Sequence, residues 1–281
     1  MRSLEADLLR CGNLARSAFL RSLGHSTRSI ARARRTGATF SPRRGWIATA
    51  RAAPAALRAV TLGGRLGGAS ALESFGVWAG HSPGLVVAVV PGASRLPPLL
   101  PGESRLWASD RFPANGDRMF RVSLQDAILQ HARVSNRAEI IATLDSALHH
   151  GLLGQFELAE LLAALPERVR PKARELDASS MAGTESLMRV DLRALGYRVD
   201  TQASIRKVGQ VDLLVDGWYI VECDSREFHD GDAQQTTDRR RDGEATIARF
   251  GTARFTYPQV MFRRAWCLQV VAAGLAAGRP C

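Results

Sequence analysis

The run Val211-Asp212-Leu213-Leu214-Val215-Asp216-Gly217-Trp218-Tyr219-Ile220-Val221-Glu222-Cys223-Asp224 decides the fold, and it continues as Ser225-Arg226-Glu227-Phe228-His229. It reads as two short apolar strands joined at an Asp-Gly turn, with acids where the strands should carry apolar side chains. Side chains two apart on a strand share a face, so Glu222 and Asp224 point the same way. A hairpin turning near Asp216-Gly217 brings Asp212 next to them. Three carboxylates on one sheet face repel one another and are costly to desolvate. A divalent cation relieves both costs. Carboxylate oxygens suit Mg²⁺ or Mn²⁺, and such sites activate water against phosphodiesters.

Outward from this run, residues 176–281 read as helix 182–195, strand 197–204, strand 210–216, strand 218–224, helix 234–249, strand 252–257 and helix 259–277. The expected fold class is α/β. Residues 183 to 275 resemble the Vsr-like endonuclease-domain family, which is related to the very-short-patch repair endonucleases and belongs to the PD-(D/E)XK nuclease superfamily. The resemblance implies that family's restriction-endonuclease-like core. Glu185, in Thr184-Glu185-Ser186-Leu187, matches the acid on the helix before the sheet. Asp212 matches the first sheet carboxylate, Glu222-Cys223-Asp224 occupies the (D/E)-X-K tripeptide, and His229 matches the histidine after it. Asp224 stands where the superfamily has lysine, as is usual in this branch, and Ser225 where the family usually has glycine.

The implied roles are specific. Asp212 and Asp224 are expected to ligate Mg²⁺ or Mn²⁺, Asp224 alternatively orienting the attacking water. Glu222 is expected to bind metal or a metal-bound group, the alternative being a buried acid paired with Arg226 or another arginine. Glu185 completes the acidic set, and His229 is a candidate general acid or base. Cys223 points to the opposite face and is read as core. Arg239, Arg240 and Arg241 either neutralise phosphates or form a solvated helix face. Trp218 and Phe228 either stack on bases or end strands in the core.

The 281 residues carry a net charge of +11, unevenly placed. Residues 1–57 hold 11 arginines against two acids, whereas residues 176–281 balance 14 basic residues with 14 acids. A polyanion-binding surface is therefore expected at the N-terminal end, separate from the acidic site. Residues 4–23 have helical spacing, broken near Cys11-Gly12-Asn13. His25-Ser26-Thr27 caps a second helix, 28–36, bearing Arg28, Arg32, Arg34 and Arg35. Residues 38–49 read as a hairpin with Arg43-Arg44-Gly45 at its tip. Helices followed by a basic hairpin describe a winged helix-turn-helix, and residues 1–57 resemble the N-terminal domain of AbiEi-type antitoxins. That resemblance implies double-stranded DNA as partner, with the arginine helix in the major groove and the hairpin on the backbone. A toxin or repair partner is left open.

The middle, 58–175, is read as a connecting region between the winged helix, 1–57, and the nuclease domain, 176–281. Gly63-Gly64-Arg65-Leu66-Gly67-Gly68 lacks the Gly-Lys-Ser/Thr ending of a phosphate loop and is read as small residues that let a helix pack closely. Residues 84–91 read as a buried strand, 92–118 as loop with room for one short strand, and 123–165 as helical with Gly151 as a C-cap. His149-His150 is read as favouring that helix terminus rather than binding metal. No apolar run approaches the roughly 18 residues of a membrane span. The four cysteines have no metal spacing and fit a reduced, cytoplasmic protein. The functional expectation is a metal-dependent DNA endonuclease, with a catalytically inactive, nuclease-fold DNA-binding regulator or antitoxin-like protein as the alternative.

Overall fold

The computed structural model describes residues 3–81, 84–113, 116, 118–224 and 232–280, with the backbone alone for 232–238. Helices and strands mix throughout, as an α/β chain requires, and the chain divides into two compact units, residues 1–134 and 135–281. The division falls inside the stretch read as one connecting region. Its last helix on the N-terminal side packs within the first unit, while the next packs against the helix that precedes the C-terminal sheet.

The first unit begins with α1 (Leu4–Arg10), β1 (Leu14–Arg16), α2 (Ser17–Ser22), α3 (Thr27–Arg35) and β2 (Trp46–Ala48). The helical reading of residues 4–23 missed β1, which pairs antiparallel with β2 from Leu14↔Ala48 to Arg16↔Trp46. A three-residue strand whose partner lies thirty residues on leaves no local period. The 38–49 hairpin forms narrowly, as a bridge between Phe40 and Ala48. Ser26 caps α3 by accepting from the Ser29 N–H at 3.0 Å. Leu8, Leu20, Ile30 and Ile47 close the core beneath. Asp7 Oδ2 and His25 Nε2 meet at 2.8 Å in that interior and tie α1 to the turn before α3.

The unit continues with α4 (Pro54–Thr61), β3 (Arg65–Leu66), α5 (Gly68–Phe75), β4 (Leu85–Val89), β5 (Glu103–Trp107) and α6 (Leu124–His131), its sheet ordered β3-β4-β5. The glycine run between α4 and α5 is a packing device. A Cβ on Gly64 would stand 2.3 Å from the Ala88 carbonyl oxygen, and one on Gly67 2.7 Å from Gln130 Oε1. Gln130 Oε1 accepts from the Gly68 N–H, fastening α6 to the start of α5.

The second unit holds α7 (Arg137–His149), α8 (Gln155–Ala164), α9 (Gly183–Ala194), β6 (Val199–Ile205), β7 (Gly209–Val215), β8 (Tyr219–Asp224), α10 (Asp232–Ile247), β9 (Gly251–Thr256) and α11 (Tyr257–Ala276). From α9 on, every element read from the sequence is present, in the expected order. The sheet runs β6-β7-β8-β9, antiparallel except for the parallel β8–β9 pair. Parallel strands need a crossover, and α10 supplies it. Its Ala245 packs with Val208, Val211 and Ile220. Helices α9 and α11 pack on β8 and on each other, joined by Arg264 and Asp191 at 2.8 Å. Gly151 closes α7 with φ +63°, and His149 Nδ1 lies 3.0 Å from the Ala178 carbonyl, a structural tie for that histidine. Among the described residues no helix is long and apolar enough to cross a membrane.

Candidate functional site

Three of the predicted acids converge where α9 crosses the β6–β7–β8 part of the sheet. The β7–β8 ladder runs from Val215↔Tyr219 to Leu213↔Val221 and stops there. One residue further, the Asp212 carboxylate takes over: its Oδ2 accepts from the Cys223 N–H at 2.8 Å. On the other side, β6 and β7 pair at Thr201↔Leu213 and at Ala203↔Val211, with no pair at Gln202. Gln202 instead sits at φ +51°. Its side-chain Nε2 donates to Glu185 Oε2 at 2.8 Å and to Asp212 Oδ1 at 3.4 Å. Glu185 Oε2 also accepts from the Met181 N–H at 3.0 Å.

The electrostatics follow from this crowding. Glu185, 3% exposed, is pushed up to about 7, first by burial and then by the charge of Asp212, against the hydrogen bonds from Gln202 and Met181. Glu222 is pushed up to about 7 as well, by burial and by Asp212, with the Arg241 guanidinium acting in the opposite sense. The Cys223 thiol is raised by burial and then by Asp212, Glu185 and Glu222 together, so the charges of all three acids reach the same thiol. Cys223 is 3% exposed and lies in the core, as read from the strand alternation.

The other predicted groups lie at the end of β8, on α10 or outside the described residues. Asp224 is exposed at the end of β8, opposite Thr256. His229, with Ser225, Arg226 and Phe228, lies outside the described residues. Arg241 is the arginine that meets Glu222, at 3.4 Å, and it is committed elsewhere too: Nε donates to the Val208 carbonyl at 2.9 Å and Nη2 to that of Gln210. Arg239 and Arg240 are exposed. A cleft of about 240 Å³ opens beside Glu222 between the sheet and α10, with Arg241, Arg254, Thr246 and Thr252 on its walls. Trp218 meets Tyr219 edge-on at 5.6 Å.

In the first unit Arg28, Arg32 and Arg35 follow helical spacing on one side of α3 and are exposed, as are Arg34 and Arg44. Arg43 is turned inward, where its Nη1 donates to the Thr61 carbonyl at 3.0 Å, the last turn of α4. Sequence reasoning missed Gln202. One signal was available, since pairing strands 197–204 and 210–216 about their turn sets this polar residue opposite Asp212.

Among the described residues no three His, Cys, Asp or Glu side chains form a ready-made metal cage. No protein-family model matches the chain, and no curated protein matches it.

The raised carboxyls set a pH dependence. Between about pH 4.5, the ordinary value, and about pH 7 the folded protein holds protons on Glu185 and Glu222 that the unfolded chain has released. The native state binds more protons there, so stability is highest below that window and falls as pH rises through it. Glu185→Gln, which removes the charge but keeps an acceptor oxygen, is expected to stabilise the metal-free protein at pH 8 by about 2 kcal/mol. At pH 4.5 it should change little. Urea unfolding in chelator at the two pH values checks this; equal effects at both would contradict it.

Proposed function

We propose that this chain is a metal-dependent DNA endonuclease of the PD-(D/E)XK type, whose N-terminal winged helix docks on double-stranded DNA. The observation that carries the reading is the meeting of Glu185, Asp212 and Glu222, from one helix and two strands, in a partly buried cluster with Arg241 as its neighbouring cation. The α9-β6-β7-β8-α10-β9-α11 order supports it, as does the resemblance of residues 183–275.

The donor set fits a hard divalent cation. All three side chains offer oxygen, they are held by neighbouring N–H groups, and their mutual repulsion is relieved by positive charge. Asp212 and Glu222 would hold Mg²⁺ or Mn²⁺, with Glu185 or Asp224 completing the set. When bound, the ion supplies an activated water and charge stabilisation for in-line attack on phosphorus. Asp212 is fixed from both sides by Cys223 and Gln202, so its oxygens keep one orientation. Arg241 holds Glu222 while bracing α10 against the start of β7. Arg254, beside the cleft, faces Asp242 at 3.4 Å on an exposed surface where a phosphate can compete for it. In the first unit, the α1-β1-α2-α3-β2 order and the exposed arginines of α3 support major-groove binding, with Arg44 at the wing tip.

One observation favours a second reading, in which the nuclease fold is a scaffold for a DNA-binding regulator or antitoxin-like protein. Glu185 Oε2 is occupied by two internal donors, the Met181 N–H and the Gln202 amide. A Mn²⁺ titration of the thermal midpoint separates the two. A genuine site stabilises the fold by about 2.7 kcal/mol at a hundredfold excess over Kd. The midpoint should therefore rise by several degrees in the wild type and stay put in Asp212→Asn. No rise at millimolar Mn²⁺ favours the regulator.

A further inference from the structure

We infer that Gln202 is a positioning residue of the acidic site, a side-chain amide that fixes Glu185 and Asp212 relative to each other for a divalent cation. This assignment rests on the metal-dependent reading above. Its first ground is backbone strain. Gln202 lies inside β6, where strand geometry is expected, yet takes φ +51°, a left-handed conformation that a long unbranched side chain adopts at a cost. The neighbouring pairs Thr201↔Leu213 and Ala203↔Val211 are intact, so the distortion is confined to the residue facing Asp212.

The second ground is what that conformation achieves. One nitrogen, Nε2, reaches Glu185 at 2.8 Å on α9 and Asp212 at 3.4 Å on β7. An amide NH₂ has two donors, one for each acid. It links the two acids without adding charge, so it does not compete with a cation as lysine or arginine would. Asp212 is thereby held between β6 and β8, with Gln202 on Oδ1 and the Cys223 N–H on Oδ2. Groups that orient metal ligands through hydrogen bonds typically govern affinity by 10–100-fold.

The test compares wild type with Gln202→Gly and Gln202→Asn. Glycine accepts the left-handed backbone and removes the amide. Asparagine tolerates the same backbone and keeps the amide, but is one methylene too short to span both acids. MnCl₂ is titrated calorimetrically into each folded protein, alongside its metal-free thermal midpoint. Both variants are expected to fold and to bind Mn²⁺ roughly 10–100-fold more weakly than wild type. A side chain with a merely structural role would lower the metal-free midpoint and leave the affinity of the folded protein intact. A wild type that binds Mn²⁺ and variants that match it within about twofold would overturn the role of Gln202 alone. A wild type that takes up no Mn²⁺ would overturn the metal reading itself, and this assignment with it.

Discussion

Asp212→Asn is expected to reduce divalent-cation-dependent DNA cleavage by on the order of a thousandfold, a few kcal/mol of lost transition-state stabilisation, while leaving the protein folded and still bound to duplex DNA. Both halves of the prediction follow from the local geometry. Asp212 Oδ2 replaces a ladder acceptor for the buried Cys223 N–H. Asparagine keeps one oxygen for that bond, whereas alanine would strand the N–H at about 1–3 kcal/mol. Its amide then faces the Gln202 amide across the longer, weaker contact. That mild donor–donor conflict is offset because removing the Asp212 charge relieves Glu185 and Glu222, both of which it pushes up. The loss of cleavage should therefore come without a lower thermal midpoint above neutral pH. Duplex affinity should persist, because the arginines proposed to provide it are on α3 in the other compact unit.

The second large effect lies beneath α9. Arg189 is 0% exposed, and its Nη2 donates to Asp145 of α7, itself 0% exposed. Asp145 also accepts from the Asp177 N–H and the Ser186 hydroxyl, both at 2.7 Å, and Arg189 Nη1 donates to the Glu175 carbonyl at 2.9 Å. Removing one partner leaves the other as a buried, uncompensated charge. Asp145→Ala is expected to cost about 3–5 kcal/mol in urea unfolding. The double change Asp145→Leu with Arg189→Met should recover most of that loss, because the charges leave together and apolar volume replaces them. It should stay somewhat below wild type, since the Asp177 N–H and the Ser186 hydroxyl lose an acceptor. A double variant no better than the single one would show that the hydrogen bonds, rather than charge burial, dominate. The network also bears on the site, because Arg189 is one helical turn from Glu185 and fixes the face that α9 presents.

The strands and helices from residue 183 onward were legible because each announces itself locally. Strand alternation breaks at Asp216-Gly217, and two of the three acidic partners lie on adjacent strands of one hairpin. Three features were not legible. Strand β1 is three residues long, with a partner thirty residues away. The Asp145–Arg189 pair joins positions 44 apart on two helices whose packing no helical period encodes. The part played by Gln202 depends on one backbone angle, and a sequence carries no direct signature of a left-handed glutamine in a strand. Arg43 shows the opposite limit. Composition marks it as another member of a basic patch and gives no hint that its Nη1 also serves the end of α4.

The most direct test is a cleavage assay of the full chain with Mg²⁺ and with Mn²⁺. Its substrates are supercoiled plasmid, mismatched duplex, single-stranded DNA and RNA, with Asp212→Asn run beside the wild type. A metal-dependent nuclease cuts at least one of the DNA substrates, stops when the cation is chelated, and loses the activity in the variant. Absence of cleavage on every substrate, with duplex binding retained, contradicts the nuclease and leaves the acidic cluster as part of a DNA-binding scaffold.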